Sequence, residues 1–267
     1  MTFFQSWLYA LPVILGMMTI LWIISAVIRN VSIVDLFWGP GFVLAAGFWY
    51  IITPGAAFRK TLVLLLVAVW GFRLAIHLAI RNLGKGEDYR YREFRKKYGE
   101  ERYWWVSFFQ VFLLQGVLMW IIALPLLGAQ YPSTAGGPGI FDYAAVVTWL
   151  TGFIFEAGGD MQLSAFRADP SNKGKVLDSG FWRYTRHPNY FGDSAVWWAY
   201  MLLSFGAGCY TGAAGSIIMT LLILRVSGVA LLEKSLVNTR PEYKDYIERT
   251  SSFFPLPPRK KKNQPQV

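Results

Sequence analysis

Cysteine is nearly absent from this chain: Cys209 stands alone in 267 residues. A lone cysteine excludes an internal disulfide and any cysteine metal cluster. Charge is also scarce. Charged side chains make up 16% of the sequence, against about 25% in an ordinary soluble protein. The acidic sign is the rarer, with 16 Asp and Glu facing 26 Lys and Arg for a formal net charge of +10. No repeat, glycine-rich dinucleotide fingerprint, P-loop, His-Glu-x-x-His helix or nucleophile elbow is present. A cofactor, if bound, therefore sits in a cavity among helices and loops.

What is abundant is apolar: hydrophobic residues reach 54% and aromatics 17%. A membrane-spanning helix needs roughly 20 mostly apolar residues. The segments 8–29, 34–53, 61–82, 107–128, 140–160, 190–209 and 212–233 supply them. Polar residues interrupt the third, fifth and seventh, so the count is seven, with six the alternative. The expected fold class is all-α, an integral membrane bundle of about seven helices whose cytoplasmic loops close over a cofactor cavity. One domain covers 1–255, and 256–267 is a basic, disordered, solvated tail.

Arg and Lys crowd into 81–102, 167–186 and 234–262, whereas 129–139 and 206–211 carry no charge. The positive-inside rule then puts the N-terminus outside and the C-terminus in the cytoplasm. Arg59 and Lys60 break the pattern. Topology and anionic headgroups account for the basic balance, so nucleic acid is not an expected partner. The first span is too long for a signal-peptide core and lacks a basic leader, which makes it a retained anchor.

Segment 82–106, containing Glu87-Asp88-Tyr89-Arg90-Tyr91-Arg92, reads as a polar cytoplasmic helix with its aromatics at headgroup level. Segment 164–186 is the longest polar connection, and a connection of that length is more often functional than idle. Residues 235–249 read as an amphipathic helix closing on Ser251-Ser252-Phe253-Phe254-Pro255.

Ionisable groups inside apolar runs mark candidate chemistry. Asp35 opens the second span, either as a carboxylate favoured by the helix dipole or as a buried carboxyl of raised pKa able to donate a proton. Arg73, His77 and Arg81 recur along one face of the third span as a polar seam, functional or ion-paired. Glu156, Asp160, Ser164 and Arg167 recur every three or four residues on one face of the fifth. Carboxylates there can accept from ribose hydroxyls or an amide, and Arg167 can pair with phosphate; mutual pairing with Arg225 is the alternative. Arg186-His187-Pro188-Asn189-Tyr190, followed by Asp193, opens the sixth span, with Pro188 suited to its first turn. Arg225 lies mid-span in the last segment and needs an anionic or carbonyl partner.

On Ser32-Ile33-Val34-Asp35-Leu36-Phe37-Trp38, Gly86-Glu87-Asp88-Tyr89-Arg90-Tyr91, Gly180 through Asp193, and Glu242-Tyr243-Lys244-Asp245-Tyr246 to Phe254-Pro255, the chain resembles the membrane-bound steroid 5-alpha-reductase family, specifically its bacterial members. The resemblance covers most of the chain. It implies seven spans enclosing NADPH from the cytoplasmic side. Hydride passes to the beta carbon of a conjugated enone, in a 3-oxo-4-ene steroid or similar lipid. It also implies that Asp35 hydrogen-bonds the substrate carbonyl. Trp70 stands where the family has a partnering tyrosine; an indole N–H donates a hydrogen bond but is no proton source. Trp38 joins Asp35 and Trp70 at the substrate. Trp38, Phe42, Trp49, Trp70 and Trp197 are candidates to line a slot for a flat apolar molecule, or else packing residues.

The implied cofactor positions are Arg81 or Asn82, Glu156, Asp160, Leu163, Arg167, Lys175, Tyr184, Asn189, Tyr190, Asp193 and Arg225. Arg186 and His187 are added because their charge suits a phosphate. Val229 replaces a family histidine. No metal is expected. Two rivals stand beside this reading. One is a membrane methyltransferase similar to isoprenylcysteine carboxyl methyltransferase, sharing the Arg-His-Pro-x-Tyr element and binding S-adenosylmethionine. The other is a non-catalytic sterol-binding or transport protein.

Overall fold

A computed structural model describes residues 1–82, 84–132, 137–227, 233 and 242–259. Outside them lie Val229, the first part of the expected 235–249 helix, Lys234, the centre of the 129–139 loop and the tail beyond Arg259. The described residues are mainly helical and contain no strand. The helices are α1 (Phe3–Ile28), α2 (Ile33–Leu36), α3 (Trp38–Ile52), α4 (Ala57–Asn82), α5 (Tyr89–Tyr98), α6 (Glu100–Ser107), α7 (Leu114–Ile122), α8 (Leu124–Gln130), α9 (Ile140–Ala168), α10 (Pro188–Gly206), α11 (Gly212–Leu221) and α12 (Tyr243–Arg249). Two π-helical stretches, Phe108–Leu113 and Leu222–Ser227, run on from α6 and α11.

Four helical runs are long and apolar enough to cross a membrane: Phe3–Ile28, Ala57–Asn82, Glu100–Gln130 and Ile140–Ala168. Trp38–Ile52 and Gly212–Arg225 are apolar but shorter. These runs, found among the described residues, fit the expected all-helical membrane bundle, with the second and seventh of the expected apolar segments represented by the shorter helices. α3 has 15 residues, about 22 Å at helical rise, against a hydrocarbon core of about 30 Å. Its start is set by a break at Phe37, which separates it from α2. Asp35 therefore sits on a one-turn helix ahead of the apolar helix, not inside a span. The 19-residue α10 opens with polar Asn189 and Asp193 and is not among the four.

The chain forms two compact units, one of residues 1–143 and 200–215, the other of 144–199 and 216–267. In the first, α3 and α4 pack closely. A Cβ on Gly39 would lie 2.2 Å from the Gly71 carbonyl oxygen, so only hydrogen fits at the crossing. Small residues let helix backbones approach this closely in membranes. Arg59 is buried against Asp142, with Nε and Nη2 donating at 2.8 and 2.9 Å. Lys60 Nζ donates to the Thr53 carbonyl at 2.7 Å. The two exceptions to the positive-inside pattern are thus matched within the protein. Segment 82–106 is two helices, not one: Gly99, at φ 87°, turns the chain between α5 and α6 in a conformation side chains resist.

In the second unit α9 runs to Ala168, which shortens the polar connection and keeps Glu156, Asp160, Ser164 and Arg167 on one helix. Short 3₁₀ turns at Pro170–Asn172 and Gly180–Arg183 lead into α10.

Candidate functional site

The first unit gathers a hydrogen-bonded chain around Asp35. Tyr91, on α5, donates its hydroxyl to Asp35 Oδ1 at 2.7 Å. Arg90 Nη2 donates to Asp35 Oδ2 at 2.9 Å, and Arg90 Nε to Asp88 Oδ1 at 2.9 Å. On the other side Gln115 Nε2 donates to the Tyr91 hydroxyl at 3.4 Å, and Trp38 Nε1 donates to Gln115 Oε1 at 2.6 Å. Gln115 lies on α7, directly after the π-helical stretch. Such stretches reset which face of a helix points inward and are frequent at functional sites.

Local structure explains why Tyr91 arrives here. Asp88 caps α5 by accepting from the Arg90 amide at 3.0 Å, and the Asp88 amide donates to the Ser32 hydroxyl at 2.6 Å. Val31 N–H donates to Glu87, itself paired with Arg95 at 2.8 Å. The α5 start is thereby fastened to the turn that carries Asp35. Tyr91 is only 5% exposed: its ring is buried and its hydroxyl engaged.

Burial pushes the Asp35 carboxyl above its ordinary value, outweighing the Tyr91 hydrogen bond and the Arg90 charge that pull it down. The Tyr91 phenol is pushed up by burial, and by the charge and hydrogen bond of Asp35. Trp38 belongs to this chain. Trp70 is buried on α4 with its ring centroid 6.1 Å from that of Phe42. The phenol at Asp35 is supplied by Tyr91 rather than by a third-span residue. Trp49 is a packing residue, its indole N–H donating to the Ser6 carbonyl at 2.9 Å. Arg73 and His77 are half-buried on α4; Arg81 is exposed beside Asn82 at its end, with Arg81 Nε donating to Asn82 Oδ1 at 3.2 Å.

The second unit gathers most of the residues expected at a cofactor. Glu156 and Asp160 are buried on α9. Asn189 Nδ2 donates to Asp160 Oδ1 at 3.1 Å, and Asn189 Oδ1 accepts from the Tyr190 amide at 3.1 Å. α9 and α10 meet through glycine: a Cβ on Gly192 would lie 2.3 Å from the Glu156 amide nitrogen, and one on Gly159 3.0 Å from the Pro188 ring. Leu163 and Asp193 are half-buried; Arg167, Lys175 and Tyr184 are exposed. Arg225, expected to need an anionic partner, is exposed in the π-helical stretch after α11.

Arg186 and His187 differ from expectation. Arg186 Nε donates to Glu233 Oε1 at 2.8 Å, its Nη1 to the Ile247 carbonyl at 3.1 Å and also to the Thr250 carbonyl. His187 Nε2 lies 3.1 Å from the same Glu233 oxygen. Both side chains are buried and bonded within the protein rather than offered to a phosphate. Around them the C-terminal segment is zipped on: Arg186 N–H donates to the Ser251 carbonyl at 2.8 Å, Leu256 N–H to Tyr184 at 3.0 Å, and the Tyr246 hydroxyl to the Trp182 carbonyl. Burial raises the Glu233 carboxyl, but the His187 and Arg186 hydrogen bonds and the Arg186 charge win and hold it at about 2.

Sequence reasoning missed Tyr91, Arg90, Gln115 and Glu233 as partners. The only available signal was the Glu87 to Tyr91 string, singled out by the resemblance without a role.

Comparison with known proteins narrows the family. An uncharacterized protein of Schizosaccharomyces pombe is 25% identical over 272 residues, spanning 92% of this chain and 78% of its own. Part of the chain is similar to two fungal proteins. A Delta(14)-sterol reductase of Ascobolus immersus is 34% identical over 109 residues, 34% of this chain and 25% of that protein. Delta(14)-sterol reductase erg24B of Aspergillus fumigatus is 34% identical over 91 residues, 29% of this chain and 17% of that one. This chain thus matches only a quarter or less of either reductase. No solved structure matches. A family model described as a protein of unknown function, DUF1295, matches residues 21–250, and the chain belongs to that family.

Proposed function

We propose that this protein is an NADPH-dependent membrane reductase of a carbon–carbon double bond in a steroid or similar lipid, an oxidoreductase acting on a CH–CH group. The observation that carries the proposal is the Asp35–Tyr91 pair, a carboxyl and a phenol hydrogen-bonded at 2.7 Å beside apolar helices. The partial similarity to Delta(14)-sterol reductases supports it.

For a 3-oxo-4-ene steroid, the role of the pair is to receive the carbonyl. Its oxygen gains negative charge as the beta carbon is reduced, and donors already aimed at it lower the barrier. Tyr91 is the hydroxyl donor once its bond to Asp35 reverses: a protonated Asp35 donates to the phenol oxygen and frees the Tyr91 proton for the carbonyl, while Gln115 Nε2 donates to that same phenol oxygen. Asp35, with its raised pKa, is the proton-bearing acid, and Arg90 holds the far carboxyl oxygen in place. Trp38 positions Gln115 and presents an apolar face to a flat substrate. Apolar surroundings strengthen each of these interactions.

The residues of the second unit fit a nicotinamide dinucleotide. Glu156, Asp160 and Asn189 form a buried carboxylate–amide group suited to hydroxyl and amide donors, while Arg167, Lys175 and Tyr184 reach solvent, where phosphates would lie. NADPH, when bound, supplies the hydride. S-adenosylmethionine has no phosphate for these cations to neutralise, which disfavours the methyltransferase alternative. The sterol reductase similarity favours a second form of the same reading, reduction of a sterol double bond not conjugated to a carbonyl. With no carbonyl to receive a donor, one alkene carbon must take a proton while the other takes the hydride. Asp35 and Tyr91 are then the proton source.

Thermal unfolding of the detergent-purified chain tests the proposal, because a ligand of the native state raises apparent stability by mass action. NADPH is expected to raise the unfolding midpoint and S-adenosylmethionine to leave it unchanged. Stabilisation by S-adenosylmethionine alone would replace the reductase with a methyltransferase, and silence with both would favour a non-enzyme. Product analysis with a 3-oxo-4-ene steroid and with a Delta(14) sterol separates the two reductase forms.

A further inference from the structure

α5 carries Tyr91 to Asp35, yet apolar burial cannot be what aims it. Of its ten residues only Tyr91 is buried and only Arg95 half-buried; the rest are exposed. A helix this short is marginal in water by itself, and most helices in proteins are held by a packed apolar face. One buried ring supplies attraction but fixes neither the height nor the rotation of a helix. Polar contacts must do so, and they fall into two groups of different strength.

The outer group is Arg90 with Asp35 and Asp88. The Arg90 side chain is 45% exposed, so water competes for it and its ion pairs hold a helix weakly. The inner group is Glu87 with Arg95, whose side chains are only 8% and 20% exposed. Glu87 Oε1 accepts from the Val31 N–H at 2.9 Å and from Arg95 Nη2 at 2.8 Å, and Oε2 accepts from Arg95 Nε at 3.0 Å. One carboxylate thus takes three donors, from α5 and from the turn that leads into α2. Val31 is 2% exposed, and a buried backbone N–H demands such a partner.

The grip extends past the phenol. Glu87 precedes Tyr91 by four residues and Arg95 follows it by four, so their ion pair brackets Tyr91, with Arg95 on the same face of α5. The Arg95 guanidinium stands over the ring of Tyr103 on α6, 4.8 Å from its centroid. Its Nη2 also points to the Arg29 carbonyl at the end of α1, 3.5 Å away. By contrast, the Asp88 amide pins only the start of α5, on Ser32 Oγ. The 2.7 Å bond from Tyr91 to Asp35 is therefore set by where Glu87 and Arg95 hold α5.

We propose that Glu87, locked by Arg95, is a positioning residue of the site: it sets the Tyr91 hydroxyl on Asp35 without touching substrate or cofactor. Its consequence for turnover rests on the reductase reading; its hold on the Tyr91–Asp35 bond does not. Glu87→Gln keeps the shape and breaks the lock. An amide has one acceptor oxygen and turns N–H groups toward a guanidinium that has only donors. Arg95→Lys keeps the charge and loses the fork.

Double-mutant cycles on the full chain in detergent test this, because coupling between Glu87 and Tyr91 separates positioning from general stabilisation. In thermal unfolding, the midpoint shift caused by Tyr91→Phe should shrink by at least about half in the Glu87→Gln background, where the phenol is no longer held on Asp35. With a 3-oxo-4-ene steroid and a Delta(14) sterol as probes, Glu87→Gln should lower kcat about tenfold, as a misplaced group does, with the KM for NADPH within about twofold. In the Tyr91→Phe background the same substitution should cost less than about twofold, since groups that act as a unit are not additive. Arg95→Lys carries the same cycles, with smaller effects, if Glu87→Gln does not fold. Equal Tyr91→Phe midpoint shifts in both backgrounds, or losses of kcat that multiply, overturn the proposal and leave the pair a structural one. If the native chain reduces neither probe, the reductase reading falls and the unfolding cycle alone decides the positioning.

Discussion

Asp35 accepts from a phenol on one oxygen and a guanidinium on the other, and each neighbour can be removed separately. Asp35→Asn keeps the shape and loses the acid. It should lower turnover of an enone by about 10²-fold, the usual contribution of a positioned acid, while NADPH affinity stays within about threefold, since the cofactor residues are other groups. Tyr91→Phe should lower turnover to a similar degree and cost about 1–2 kcal/mol of stability, because the buried ring remains but Asp35 Oδ1 loses its donor. Steady-state kinetics with parallel NADPH titrations check both. Full activity in Asp35→Asn would remove Asp35 from the mechanism, and full activity in Tyr91→Phe would leave the phenol a structural role. Asp35 itself was legible, because a carboxylate beside an apolar run invites the question of what it does. Its partner was not. Tyr91 is 56 residues away on a charged helix, and no periodicity links positions 35 and 91.

Between elements, Arg186 and His187 at the start of α10 clamp Glu233, and Arg186 also binds the Ile247 and Thr250 carbonyls of the α12 segment. Glu233 has a folded pKa of about 2 against an ordinary 4.5. A depressed carboxyl contributes stability that is present above pH 4.5 and is lost as pH falls toward 2. The contribution is on the order of 2 kcal/mol once screening of a partly exposed group is allowed for. Unfolding midpoints between pH 7 and 3 should therefore drop more steeply in the native chain than in Glu233→Gln, which lacks the titrating group. Parallel curves would mean that the clamp contributes nothing to stability. The Arg-His-Pro-Asn-Tyr string marks a folded junction, with Arg186 and His187 turned to protein partners. Pro188 begins α10 as its chemistry dictates; Arg186 is consumed by carbonyls and a carboxylate distant in the chain.

For the whole molecule, the uneven spread of basic residues makes a claim about orientation that the single cysteine can test. Cys209 lies in the uncharged connection between α10 and α11 and is half-buried, with Sγ 3.1 Å from Thr211 Oγ1. With the N-terminus outside, this connection faces outward. A membrane-impermeant maleimide should then label Cys209 in intact cells expressing the chain, and Cys209→Ser should abolish the signal. Labelling only after permeabilisation would invert the orientation. The Arg59–Asp142 pair removes the main objection to this topology, since a charge buried in an ion pair carries little weight in a rule that reads exposed loop charge.

The sequence by itself determined that the chain is helical and suited to a membrane, because run length and composition are local properties. It also placed the Glu156–Asp160–Arg167 face and the Pro188 helix start, both consequences of short-range spacing. Only the tertiary structure decided that the second apolar run breaks at Phe37 ahead of α3, that Tyr91, Gln115 and Trp38 converge on Asp35, and that Arg186 is an internal clamp. Those outcomes depend on a broken helix at Phe37, a π-helical stretch before Gln115 and hydrogen bonds between residues dozens of positions apart. Such contacts are chosen by packing, which a linear pattern does not encode.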